Sequence, residues 1–147
     1  MKKPVRGISG ERLCFYVLPL FLYLLLIFVL SSISRYPEEI SWVFSLDKCV
    51  HILEYYLLGY LLMRVLVTSP HRAFSGAPVA FAIVFGILYA LSDEWHQSFV
   101  PGRYASVFDF LFDSSGVIMA AFTYRPIRYH IRWIQRIEDR IEGGNDG

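Results

Sequence analysis

Apolar residues in this chain come in long blocks, and not at the three-to-four-residue spacing of a helix lying on a soluble core. The blocks cover 13–33, 50–68, 77–92 and 105–124, with 21, 19, 16 and 20 residues; the first carries no charge. About 20 residues cross the hydrocarbon of a bilayer, so the pattern predicts four transmembrane helices. The third block is short. Ser75 or Gly76 is expected to cap its start, with Pro78 in the first turn. Asp93 then lies fifteen residues past Pro78, about 23 Å along the axis, at or just inside the far interface.

Composition supports lipid as the solvent. The chain is 55% hydrophobic, 17% aromatic and 18% charged, with mean hydropathy +0.43. A soluble domain carries about 25% charged residues. The expected fold class is all-α, an integral membrane bundle of four helices spanning 1–124, followed by a cytoplasmic amphipathic tail, 125–147. Four spans can form a complete bundle or half of a homodimer.

Lysine and arginine set the expected orientation, because cytoplasmic flanks retain positive charge. Eleven fall on one side: Lys2, Lys3, Arg6, Arg12, Arg64, Arg72, Arg125, Arg128, Arg132, Arg136 and Arg140. Three, Arg35, Lys48 and Arg103, fall on the other. Both termini therefore read as cytoplasmic, and the end that holds Asp93 as extracytoplasmic. A signal peptide with cleavage near Ser32-Ile33-Ser34 fits poorly: 21 apolar residues are long for one, and cleavage would misplace the C-terminal arginines. Cys14 and Cys49 fall near opposite membrane faces, too far apart for a disulfide.

In the tail, Ile127, Ile131, Ile134, Ile137 and Ile141 recur at helical spacing, with arginines on other faces. This pattern suits either an interfacial helix on anionic lipid or a plain continuation of the fourth span. Membrane lipids are the expected partners, and no nucleic-acid signature appears. Within the spans, Ala82, Gly86 and Ala90, and likewise Gly116 and Ala120, form small-residue stripes that allow close helix approach.

The ionisable residues near the outer interface carry the candidate chemistry, because such groups are costly within a membrane. Asp47, His51 and Tyr55 share one stripe at i, i+4 and i+8, with Glu54 beside His51. If the third helix continues past Ser92, Asp93 and Gln97 share a face, as Asp109 and Asp113 do on the fourth. Asp93, Glu94, His51 and Asp109 are the candidate proton-handling groups. Lys48, Arg103, Gln97, Asp47, Tyr55 and Asp113 are the candidate substrate contacts. No close ligand pair such as H-E-x-x-H is present, so no metal is assigned, and the sequence names no cofactor. The nearby serines, Ser92, Ser98, Ser106 and Ser114, lack a nucleophile-elbow context. The bland reading makes the same set polar glue between helices, with Arg103 neutralising Asp93 or Asp109.

The ordered series Asp47-Lys48, His51, Tyr55, Asp93-Glu94, Gln97, Phe99, Pro101, Gly102, Arg103, Ser106, Asp109 and Gly116 resembles the VanZ-like family of small multi-pass membrane proteins. The resemblance runs from about residue 47 to 116. Asp113 departs from it, standing where the family usually has asparagine before the glycine and adding a negative charge. The resemblance implies a bacterial plasma-membrane protein. The family's namesake is linked to resistance to the glycopeptide teicoplanin, but the resemblance names no reaction. Two readings follow. In one, the cluster acts on or binds an envelope component, such as a lipid-linked or glycan precursor: Arg103 and Lys48 meet its anionic group, His51 with Asp93 or Glu94 handles protons, and Asp109 orients Arg103. In the other, the cluster docks a membrane partner or holds the bundle together without chemistry. Ion transport fits less well, since no charges continue through the bilayer centre.

Overall fold

The computed structural model describes residues 13–34 and 43–130 together with Gly10 and Arg136, with 43–47 as backbone alone. A π-helical turn, Leu13–Val17, leads into α1, Leu18–Ser31. Then come α2, Val43–Val67; a short α3, Arg72–Gly76; α4, Pro78–Gln97; and α5, Val107–His130. There is no strand among the described residues. Leu13–Ser31, Lys48–Val67, Pro78–Gln97 and Val107–His130 are each long and apolar enough to cross a membrane. The chain is an all-α bundle of four such helices.

The boundaries differ from the sequence expectation in two instructive places. Ser75 and Gly76 do not cap the third span, because both belong to α3, where the Ser75 hydroxyl donates to the His71 carbonyl at 3.3 Å. The N-cap is Ala77, and Pro78 opens α4, where its missing N–H costs nothing. At its far end α4 does not stop at Ser92 but runs to Gln97, carrying Asp93 and Glu94 inside the helix. Likewise α5 passes through Tyr124 and Arg125 to His130, with Pro126 inside it. Apart from Arg136, the tail beyond His130 lies outside the described residues, and with it most of the amphipathic face.

α2 is the centre of the bundle, packed most extensively on α5 and next on α4. Glycine permits this closeness. A Cβ on Gly116 would stand 2.4 Å from the Ile52 carbonyl oxygen and 2.9 Å from the Tyr56 nitrogen, so α5 lies directly on the α2 backbone. One turn further, Gly59 faces Val117 and Ala120, and Gly86 of α4 faces the Val117 side chain. Both small-residue stripes read from the sequence are thus buried helix contacts. α2 and α5 run in the same direction, with α4 antiparallel to both.

α1 is peripheral, and two tyrosines hold it through its neighbours' backbone and its own. Tyr23 donates to the Glu54 carbonyl at 3.0 Å, and Tyr89 donates to the Leu24 carbonyl at 2.6 Å. The outer surface is apolar on every span, as at Phe21, Leu53, Leu88 and Phe122. That is the surface lipid requires. Cys14 and Cys49 are free and exposed.

Candidate functional site

The end of α1, the start of α2, the end of α4 and the start of α5 meet at one end of the bundle, and the polar residues meet there with them. Lys48 and His51 of α2 face Asp109 and Asp113 of α5 as two successive rungs. Lys48 Nζ pairs with Asp109 Oδ1. His51 Nδ1 lies 2.9 Å from Asp113 Oδ1, and the Asp113 side chain is wholly buried. An ionised carboxylate only accepts hydrogen bonds, so with Asp113 ionised it is Nδ1 that carries the proton in this pairing. The rungs exist because Gly116, three residues past Asp113, lets the two backbones close.

A second layer comes from α4. Gln97 Nε2 donates to Asp93 Oδ2 at 2.8 Å, which is the one-turn spacing expected of a continuous helix. Glu94 Oε2 accepts the Ser106 backbone N–H at 2.6 Å. Ser106 in turn caps α5: its hydroxyl accepts from the Asp109 N–H at 3.3 Å, and its carbonyl from Phe110 N. Glu94 therefore fixes where α5 begins. Its other oxygen, Oε1, is buried without a hydrogen-bond partner among the described residues, as are Asp113 Oδ2, the Tyr55 hydroxyl and Ser114 Oγ. Buried polar atoms are rarely left so in folded proteins.

Arg103 is placed by the turn before it. Arg103 N donates to Val100 O at 3.0 Å, with Pro101 and Gly102 between, and Gly102 has φ 77°. Proline followed by a glycine of positive φ is the pattern of a type II turn. The turn brings the guanidinium under α1. There Nη2 donates to Leu30 O at 2.8 Å, Nε to Ile33 O at 3.1 Å and Nη1 to Gln97 Oε1 at 3.5 Å. Arg103 thus supplies donors to the Leu30 carbonyl in the last turn of α1 and to the Ile33 carbonyl just beyond it, where a cation is favourable.

This arrangement revises one expected pairing. Asp109 takes Lys48 and not Arg103, because the parallel α2–α5 pairing puts Lys48 beside it. Among the described residues Arg103 meets the Leu30 and Ile33 carbonyls and the Gln97 side chain. Tyr55 is buried within electrostatic reach of Asp93, Asp113 and Glu54. The side chain of Asp47 lies outside the described residues. His96 turns away toward α1, with Nε2 at 3.0 Å from Ser32 Oγ and its ring 4.6 Å from that of Phe28.

Between α1, α2 and α4 these residues line a cavity of about 270 Å³, with His51, Glu54, Asp93, Gln97 and Arg103 on its wall beside Ile27, Leu30 and Val50. Asp93 also borders a second cavity of about 360 Å³, formed with Phe28, Tyr89, Trp95 and Phe99. Among the described residues no three His, Cys, Asp or Glu side chains converge as metal ligands.

Several residues of this site escaped sequence reading. Ser106-Val107-Phe108-Asp109 has the spacing of a helix-start capping motif, so the role of Ser106 was available from local pattern alone. Tyr23 and Tyr89 had no such signal, since their acceptors are backbone carbonyls on other elements.

A multi-pass helical membrane protein with a buried polar cluster at one end of its bundle is the class that fold and site define. A sequence model of the VanZ/LLP1 family matches residues 20–129, and the chain belongs to that family. No curated protein and no solved structure matches it.

Proposed function

We propose that the polar end of the bundle faces the outside of a bacterial plasma membrane and there binds or acts on a component of the cell envelope. The eleven-to-three distribution of lysine and arginine supports the orientation. The observation that carries the reading is the cavity between α1, α2 and α4, which gathers six polar side chains, Ser31, His51, Glu54, Asp93, Gln97 and Arg103. Pockets for small molecules run from about 300 to 1,000 Å³. A cavity of about 270 Å³ therefore takes one headgroup or sugar, not a whole precursor.

The side chains divide by chemistry. Asp93 and Glu54 accept hydrogen bonds from hydroxyls, as a glycan offers. Arg103, still partly exposed, meets an anionic group such as phosphate at the rim. His51, oriented by Asp113, is the proton-handling group, with Asp93 or Glu94. Lys48 serves by neutralising Asp109. A link to glycopeptide resistance is part of this proposal.

The runner-up is a docking or structural role without chemistry, and the internal pairing of Lys48 and of Arg103 favours it. Deleting the gene and complementing with wild type, Asp93→Ala or Asp93→Glu at matched membrane levels separates the two. A reacting site is intolerant of a displaced carboxylate, so Asp93→Glu should fail along with Asp93→Ala. Rescue by Asp93→Glu alone would favour electrostatic docking. Envelope-lipid profiles and teicoplanin sensitivity are the readouts.

A further inference from the structure

The opposite end of the bundle holds another cavity, of about 320 Å³, which the polar cluster does not use. Its body is apolar, built by Val17, Leu20, Leu62, Leu66 and Phe85. Its mouth is the connection from α2 to α3, where Ser69 and His71 line it. Phe85 lies two turns into α4, about 10 Å from its start, so the cavity runs from the connection well into the apolar layer.

Among the described residues, charge at this end has one sign. No Asp or Glu occurs in residues 13–34, 55–92 or 114–130, whereas Arg64, His71, Arg72, Arg125 and Arg128 all belong to this end of the bundle. The Arg64 guanidinium sits over the rings of Phe15 and Tyr16, at 5.3 and 5.1 Å from their centroids, and Tyr16 lines the cavity. His71 and Arg72 are exposed beside the mouth.

We propose that this cavity binds an anionic phospholipid, one acyl chain lying along Leu20, Leu62 and Phe85 and the headgroup phosphate meeting His71 and Arg72. An amphiphile with a single negative head matches an apolar body under a rim whose described charged residues are all basic. The C-terminal segment of the chain is the other occupant with an apolar face. It would bring Glu138, Asp139, Glu142 and Asp146 as well as Arg132, Arg136 and Arg140, and equal retention of the two lipids in the test below is the outcome it predicts.

The test uses the purified full chain in detergent, offered equimolar phosphatidylglycerol and phosphatidylcholine with identical acyl chains, and read by native mass spectrometry. Preferential retention of phosphatidylglycerol is expected, at least fivefold, and the exposed double variant His71→Ala/Arg72→Ala should bring it close to parity, since a basic residue near the membrane surface contributes roughly fivefold. Glycerol phosphate, the head without its chains, should fail to displace the lipid at the same concentration. Equal retention of the two lipids by wild type would overturn the proposal. So would an undiminished preference in the double variant, which would place the lipid at Arg125 and Arg128. Displacement by glycerol phosphate would show that the apolar body plays no part and would overturn it too.

Discussion

His51 Nδ1 and Asp113 Oδ1 lie 2.9 Å apart in a pocket from which Asp113 is wholly shielded, and this contact ties the polar cluster to the α2–α5 packing beneath it. Removing the acceptor strands a buried imidazole N–H. Asp113→Ala is expected to cost about 2–3 kcal/mol, the range for a buried hydrogen bond to a charged group. Asp113→Asn keeps a carbonyl oxygen for Nδ1–H and removes a charge from the interior, so its cost should stay below about 1 kcal/mol. Thermal unfolding of the purified variants in one detergent gives the ranking.

Gly116 makes that contact reachable. A methyl group there would meet the Ile52 carbonyl at 2.4 Å, backbone against backbone, with no flexible side chain to yield. Gly116→Ala should therefore destabilise by about 3 kcal/mol, the upper part of the overpacking range. Gly76→Ala, where a Cβ meets nothing within 4 Å, should be close to neutral. Equal unfolding temperatures for the two variants would contradict the packing described.

The contrast between these glycines shows what sequence could and could not convey. Block lengths gave the four spans, and the stripe containing Gly116 and Ala120 marked a helix contact. Asp93 and Gln97 were legible as neighbours because both sit on one helix, one turn apart. Which helix pairs with which is a property of the whole fold, so the rungs Lys48–Asp109 and His51–Asp113, separated by 61 and 62 positions, were not legible. The contacts of Arg103 with the Leu30 and Ile33 carbonyls were not legible for the same reason, being 73 and 70 positions away.

Arg103 should accordingly act on α1 before it acts on any ligand. Arg103→Ala removes three donors and is expected to loosen the last turn of α1 by about 1–2 kcal/mol, allowing for partial exposure. Arg103→Lys keeps the charge but cannot span Leu30 O, Ile33 O and Gln97 Oε1 together. Hydrogen exchange should rise at residues 28–33 in both variants, with smaller changes in α2. Exchange that is unaltered in α1 would remove Arg103 from this capping role.

Orientation is testable with single cysteines. After replacement of Cys14 and Cys49, a membrane-impermeant maleimide added to intact cells should label Ser98→Cys, which is exposed at the end of α4, and spare Ala73→Cys in α3. Permeabilised cells should label both. The reverse pattern would put the polar cluster in the cytoplasm and end the envelope reading.

The most direct test of the polar cluster as a functional site is complementation of a deletion strain with Asp93→Ala, checked for membrane level and for thermal stability in detergent. Asp93 borders both cavities, and Gln97 is its hydrogen-bond partner, so its loss removes a cavity carboxylate while leaving the α2–α5 rungs in place. The account predicts a protein present at wild-type levels that fails to restore envelope-lipid composition or teicoplanin response. Full complementation by Asp93→Ala at matched levels would contradict it.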